Sequence, residues 1–205
     1  VTLIASSAPV WMLVVGALFY RVAPTLRQLA GAALSLAGVL FVISRGSVAT
    51  LLQVRLVAGD VYMLVAVALW AAYSWMLVRP PPAMSGAARP DWNWAEFLLV
   101  QVLFGTLLAS AGAGGEALFA PPAIRWSTGV ALALLYLAIG PSILAYRYWG
   151  LGVAAVGPAV AAFFANLTPV FAAVLSAAVL GDRPGWYHGV AFALIAAGIG
   201  VSARR

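Results

Sequence analysis

The sequence predicts an all-α polytopic membrane bundle of seven transmembrane helices, and three observations predict it. Hydrophobic residues make up 65% of the 205 positions and charged residues only 8%, against roughly 45 to 50% and about 25% in soluble domains. The charges are spaced like a ruler: a hydrocarbon core about 30 Å thick needs about 20 apolar residues of helix, and no charge interrupts residues 1–20, 28–44, 61–78, 97–115, 126–146, 148–181 or 184–203. Strict two-residue alternation is absent. That argues against a closed barrel, the other architecture able to satisfy its backbone in lipid.

Taken in order, the first span runs from Val1 to Tyr20 and stops at Arg21-Val22-Ala23-Pro24, and the second ends at Arg45. Arg45 to Asp60 connects it to the third. A flexible linker from Pro80 to Trp94 follows, opened by Pro80-Pro81-Pro82 and closed by Trp92 and Trp94, whose indoles suit the headgroup zone. The fourth span ends in a connection from Ala113 to Arg125. The fifth stops at Arg147, because Gly150, Gly152, Gly157 and Pro158 read as a connection from Arg147 to Pro158 that precedes one helix to Leu180. Gly181-Asp182-Arg183-Pro184 leads into the last span.

All 11 basic residues are Arg and five residues are acidic, which gives a net charge of +6. The Arg residues are scattered, without the basic face that phosphate binding needs, so nucleic acid is excluded as a partner. The partners expected are the lipid bilayer and a small-molecule substrate. With no Cys and a single His188, thiolate and His-rich metal sites are ruled out, and His188 reads as interfacial. No nucleotide loop, nucleophile elbow or pair of intramembrane acids is present, so no enzyme, metal or cofactor is expected. Arg21, Arg27, Arg79, Arg89, Arg147, Arg204 and Arg205 fall on one side, and Arg45, Arg55, Arg125 and Arg183 on the other. This bias puts the C-terminus and the Pro80–Trp94 linker in the cytoplasm of a multi-pass plasma-membrane (bacterial inner-membrane) protein. It also leaves Val1 outside, and Val1 stands in an apolar run with no leading polar segment. Both features lead to the expectation that upstream helices are missing.

A repeat supports that expectation. Residues 1–45 align without a gap on residues 161–205, with identities that include Pro9/Pro169, Val10/Val170, Val14/Val174, Pro24/Pro184, Leu34/Leu194, Gly38/Gly198 and Arg45/Arg205. Two helices precede residue 46 and five follow it, and the last two repeat the first two. A repeat unit of five helices is odd, so successive units enter the membrane with opposite orientation, as in secondary transporters with inverted repeats. The intact protein is then a ten-helix, 5+5 carrier, and this chain lacks its first three helices.

A run of short motifs points to one family. Gly59-Asp60 before Trp70-Ala71-Ala72-Tyr73, then Tyr146-Arg147-Tyr148-Trp149-Gly150-Leu151, Val156-Gly157-Pro158, Asn166-Leu167-Thr168-Pro169-Val170-Phe171, Leu180-Gly181-Asp182-Arg183 and Gly189 to Gly198 resemble the EamA domain of the drug/metabolite transporter superfamily. The resemblance implies residues 1–45 as the last two helices of a first EamA repeat and 58–205 as a complete second one. It also implies an inner-membrane carrier, often an exporter of small metabolites, with a central cavity between the repeats. Where the family has Gly-Glu-Arg, this chain has Gly181-Asp182-Arg183, and the first copy has Arg21-Val22-Ala23 with no acid. That weakens a coupling role for Asp182.

Alternating access needs helices that bend and polar groups that face a cavity. Pro9, Pro141 and Pro169 lie inside spans and serve either as gating kinks or as static packed kinks. Asn166 and Thr168, within a turn of Pro169, either meet substrate or satisfy carbonyls that the proline frees. Trp70, Tyr73 and Ser74 share one helix face at i, i+3, i+4 and offer an amphipathic compound a π surface beside a hydroxyl. Trp75 reads as an interfacial anchor, and Arg147 either snorkels at the cytoplasmic boundary or binds an anionic group. The competing reading is a non-transporting truncated carrier, or a membrane subunit completed by a homodimer or by another chain that supplies the missing helices.

Overall fold

A computed structural model describes residues 2–47, 49–50, 57–119, 125–181 and 184–203. Among them there are helices and turns and no strand. The helices are α1 (Thr2–Ala5), α2 (Ala8–Tyr20), α3 (Leu26–Ile43), α4 (Ala58–Val78), α5 (Trp94–Ala117), α6 (Thr128–Leu137), a π-helical segment (Ala138–Leu144), α7 (Ala145–Val156), α8 (Pro158–Ala165), α9 (Thr168–Leu180) and α10 (Trp186–Ala203). Among the described residues six stretches are long and apolar enough to cross a membrane: Leu26–Ile43, Ala58–Val78, Trp94–Ala117, Thr128–Val156, Pro158–Leu180 and Trp186–Ala203. The first expected span departs from the sequence reading, because a turn at Ser6-Ser7 splits it and leaves α2 with 13 residues.

Two connections are corrected. The chain stays helical through Arg147, Gly150 and Gly152 and stops only at Gly157, because glycine inside a helix costs only about 1 kcal/mol against Ala. Gly157 has φ 83° and ψ 159°, a conformation open essentially to glycine alone, and Pro158 then starts α8 at the position where its missing N–H costs nothing. Similarly α5 runs through Gly114 and Gly115 to Ala117. The Pro80–Trp94 linker carries two 3₁₀ turns, Pro82–Met84 and Gly86–Ala88.

Helix starts explain several polar residues placed at span ends. Gln28 N–H donates to Thr25 Oγ1 at 3.2 Å, and Thr25 N–H donates to Gln28 Oε1 at 2.9 Å, a capping box at α3. Asn93 Oδ1 accepts from the Ala95 and Glu96 amides at 2.9 and 3.1 Å, and the Asn93 amide donates to Glu96 Oε2 at 2.8 Å. Asp60 Oδ2 accepts from the Val57 amide at 2.8 Å at the start of α4. These carboxylates face the positive ends of helix dipoles, where they are stabilising.

The chain forms two compact units, residues 1–80 with 152–205, and residues 81–151. In the first, α3 and α10 run antiparallel at close range. A Cβ added to Gly31 would lie 2.7 Å from the Gly198 carbonyl oxygen and 2.8 Å from Ser202 Cβ, and one added to Gly38 would lie 2.8 Å from Ile195 Cγ1 and 2.9 Å from the Ala191 carbonyl oxygen. Without a hydrophobic driving force between helices in lipid, such small-residue contact lets dispersion hold the pair. At one end of this seam Trp186 meets Phe41 edge-on, with ring centroids 5.6 Å apart, and a Cβ on Gly46 would touch the Trp186 ring at 3.0 Å. Leu13, Ala32 and Phe163, with Ala159 and Ile199 around them, form a small core among α2, α3, α8 and α10.

In the second unit α5 and α6 have no buried residue among those described. Arg147 closes its packing by placing its guanidinium 4.6 Å from the centroid of the Trp94 ring, a cation–π contact that ties the start of α7 to the start of α5.

Candidate functional site

The polar residues inside the spans gather where helices break. Proline at 169 has no N–H for the carbonyl of Ala165, four residues back, so that the helix opens at Asn166-Leu167 and restarts as α9 with Pro169 in its first turn. Thr168 Oγ1 donates to this freed Ala165 carbonyl at 2.6 Å. The Asn166 side chain turns inward: it is 2% exposed and its Nδ2 donates to Ser35 Oγ of α3 at 2.8 Å. Ser35 itself is fully buried.

The same break occurs near the start of the chain. α1 ends at Ala5, Ser6 and Ser7 form the turn, and α2 starts with Pro9 in its first turn. Ser7 Oγ donates to the Ile4 carbonyl at 2.6 Å. α2 and α9 span residues 8–20 and 168–180, and α3 and α10 span 26–43 and 186–203, so both pairs lie 160 apart. Even their ends match, since Arg21 (φ 53°) and Gly181 (φ 75°) are both left-handed C-caps.

Pro141 sits in a different kind of break. It frees the Leu137 carbonyl, the helix widens to π geometry over Ala138–Leu144, and Ser142 Oγ donates to that carbonyl at 2.9 Å. Each proline is thus accompanied by a hydroxyl that bonds a carbonyl in the turn it disturbs.

On α4, Trp70 and Tyr73 do share a face, with ring centroids 5.4 Å apart. Ser74 is buried and its Oγ donates to the Trp70 carbonyl at 2.8 Å, back along its own helix. α4 packs beside α2 and α8 in the first unit, so this aromatic face and Asn166 stand on neighbouring elements. His188 lies in the first turn of α10 with Nδ1 3.1 Å from the Gly185 carbonyl oxygen. Asp182 and Arg183 fall outside the described residues.

Trp75 corrects the expectation of an interfacial anchor. It is 6% exposed, and its Nε1–H donates to the Met12 carbonyl of α2 at 2.8 Å. Its ring stacks on Tyr20 at 5.0 Å and lies against Gly16, where any side chain would collide with it. Arg79 adds a bond from Nη1 to the Tyr20 carbonyl at 3.1 Å. Ser35 and Gly16 were not singled out from the sequence, and Trp75 was singled out for a different role. Gly31 and Gly38, seven apart on one face of α3, were the available signal for the close helix pair that fixes Ser35.

The profile of the EamA-like transporter family matches residues 57–204. An uncharacterized transporter of Archaeoglobus fulgidus is 26% identical over 173 residues, 84% of this chain and 56% of that protein. The uncharacterized transporter YyaM of Bacillus subtilis is 27% identical over 158 residues, 76% of this chain and 48% of that protein. The chain therefore spans about half the length of these curated relatives. One crystal structure superposes on 99% of this chain and 66% of its own with a TM-score of 0.65 at 22% identity, a likeness of fold alone.

Proposed function

The chain belongs to the EamA-like transporter family, and from that premise we propose that it is part of a secondary carrier, an exporter, that moves small metabolites or amphipathic compounds across the bacterial inner membrane. It is a multi-pass membrane protein and not an enzyme. In this reading residues 1–45 close a first five-helix repeat, residues 58–205 form an inverted second one, and the C-terminus is cytoplasmic. The observation that carries it is the pair of helix breaks 160 residues apart, each followed by a first-turn proline, since broken helices at corresponding positions of two repeats mark the substrate site of such carriers. Reciprocal packing supports it further. Gly31 approaches Gly198 while Gly38 approaches Ala191, and the offset of 160 turns one contact into the other, as a two-fold axis requires.

Trp70, Tyr73 and Ser74 on α4 and Asn166 and Thr168 at the break form the proposed substrate region, with Pro9 and Pro169 as flexible points of the same unit; Pro141 is proposed as a gating kink within the other unit. No charged side chain belongs to this set, which favours neutral or zwitterionic substrates. The test is counterflow in proteoliposomes with the full-length protein against neutral amino acids and amphipathic compounds. Exchange above protein-free liposomes is expected for at least one class, with a raised KM in Trp70→Ala and Tyr73→Ala, and absence of flux across the panel rejects the carrier reading.

A second reading has one observation in its favour. Among the described residues α5 and α6 bury none of their side chains, which leaves surface for a second copy or another subunit. Cross-linking in native membranes that yields only monomer rejects it.

A further inference from the structure

We propose that the Ser35–Asn166 hydrogen bond is a one-sided latch that holds the carrier in one of its two conformations, an inference that rests on the inverted-repeat reading above. Asn166 is 2% exposed at the turn between α8 and α9, and it donates to the fully buried Ser35 at 2.8 Å. The acceptor is rigidly placed. A Cβ on Gly198 would lie 3.0 Å from the Ser35 amide nitrogen and 3.2 Å from Ser35 Cβ, so the α10 backbone buttresses α3 at this residue. The donor, by contrast, stands on the non-helical joint of the 158–180 stretch, the place where the two helical halves can swing. The bond therefore joins the joint to the seam.

In a carrier built from inverted repeats, the opposite-facing state arises as each repeat takes up the conformation of the other. The offset of 160 exchanges Asn166 with Ser6 and Ser35 with Ile195. Ile195 is buried in the same seam and has neither donor nor acceptor on its side chain. The bond available in the state described here thus has no counterpart after the exchange. An interaction made in only one of two states shifts their equilibrium by its full differential strength. One buried neutral hydrogen bond corresponds to roughly a fivefold change in the ratio of states.

These 205 residues contain no cysteine, so once any cysteine elsewhere in the full-length carrier is replaced by serine, introduced cysteines are the only labelling sites. Ser47 follows α3 and Val179 lies near the end of α9, both exposed. They lie toward the same end of the unit, because Trp186, just after α9, packs on Phe41. Spin labels at Ser47→Cys and Val179→Cys in the full-length carrier in nanodiscs report their distance distribution by pulsed EPR, with and without a mixture of neutral amino acids. One dominant and one minor distance are expected. Ser35→Ala, which keeps the side-chain size, raises the minor population about fivefold; Asn166→Ala does the same, and the double variant adds nothing more. Unchanged populations in Ser35→Ala, or single effects that simply add in the double variant, overturn the latch while leaving the carrier reading standing. A single distance under all conditions overturns alternating exchange itself and the latch with it.

Discussion

The α2–α3 pair and the α9–α10 pair have the same design but different surroundings. Each has a turn before its first helix, a proline in the first turn, a left-handed residue at the first C-cap and a second helix of 18 residues. Yet α2 buries Ala8, Pro9, Met12, Leu13, Val15 and Gly16, whereas α9 buries none of its residues. Backbone boundaries follow from proline, glycine and capping residues, which the two copies share. Burial follows from what a neighbouring helix presents, and here Trp75 of α4 presents a ring that only Gly16 can receive. The corresponding position in α9 is Ser176, so the copies differ at the residue on which docking depends.

The strongest way to break the comparison is to attack the seam, the one place where the copies treat each other alike. Gly198→Val places atoms where even a Cβ would come within 2.7 Å of the Gly31 carbonyl oxygen, and it is expected to cost about 3 kcal/mol in reversible SDS unfolding. Gly200, two residues on, has open space around it. Gly200→Ala is expected to stabilise α10 by roughly 0.5 kcal/mol. Equal losses in the two variants would show that the α3–α10 contact does not hold the pair together.

Next comes the notch. Gly16→Leu displaces the Trp75 ring and is expected to cost about 2 kcal/mol, whereas Ser176→Leu in the other copy stays within roughly 0.5 kcal/mol. Trp75→Phe keeps an aromatic ring but removes the N–H that reaches the Met12 carbonyl. Its expected cost is about 1 kcal/mol, again by unfolding. If Gly16→Leu and Ser176→Leu are alike, the asymmetry of burial has no energetic meaning.

The spans were legible because charge is too costly in hydrocarbon to be placed at random, so the Arg, Asp and Glu positions bound most of the helices. The break at Ser6-Ser7 was not, because a Ser pair in an apolar run reads like any other small polar pair. Gly150 and Gly152 misled in the other direction: they stand in a helix, and the conformation that stops it belongs to Gly157. At the candidate site, the shared face of Trp70 and Tyr73 follows from helical spacing alone. The bond between Ser35 and Asn166 spans 131 positions, and one serine in an apolar helix names no partner. Trp75 was misread because an indole near a helix end fits the headgroup zone and a notch equally well, and the notch is made by a glycine 59 positions upstream.

The smallest effect sharpens the comparison most. Both breaks tie a hydroxyl to the last turn before them, Ser7 to the Ile4 carbonyl and Thr168 to the Ala165 carbonyl, each at 2.6 Å. If Thr168 serves the backbone, Thr168→Val removes one interhelical-strength bond and costs about 0.6 kcal/mol in unfolding while KM for transport is unchanged, and Ser7→Ala behaves alike. If Thr168 serves substrate, the same variant raises KM severalfold with little loss of stability, and Ser7→Ala does not follow it. Measuring stability and KM on the same two preparations separates these outcomes. Thr168 is exposed whereas Ser7 is half-buried, so the second outcome is physically open only at the α9 break.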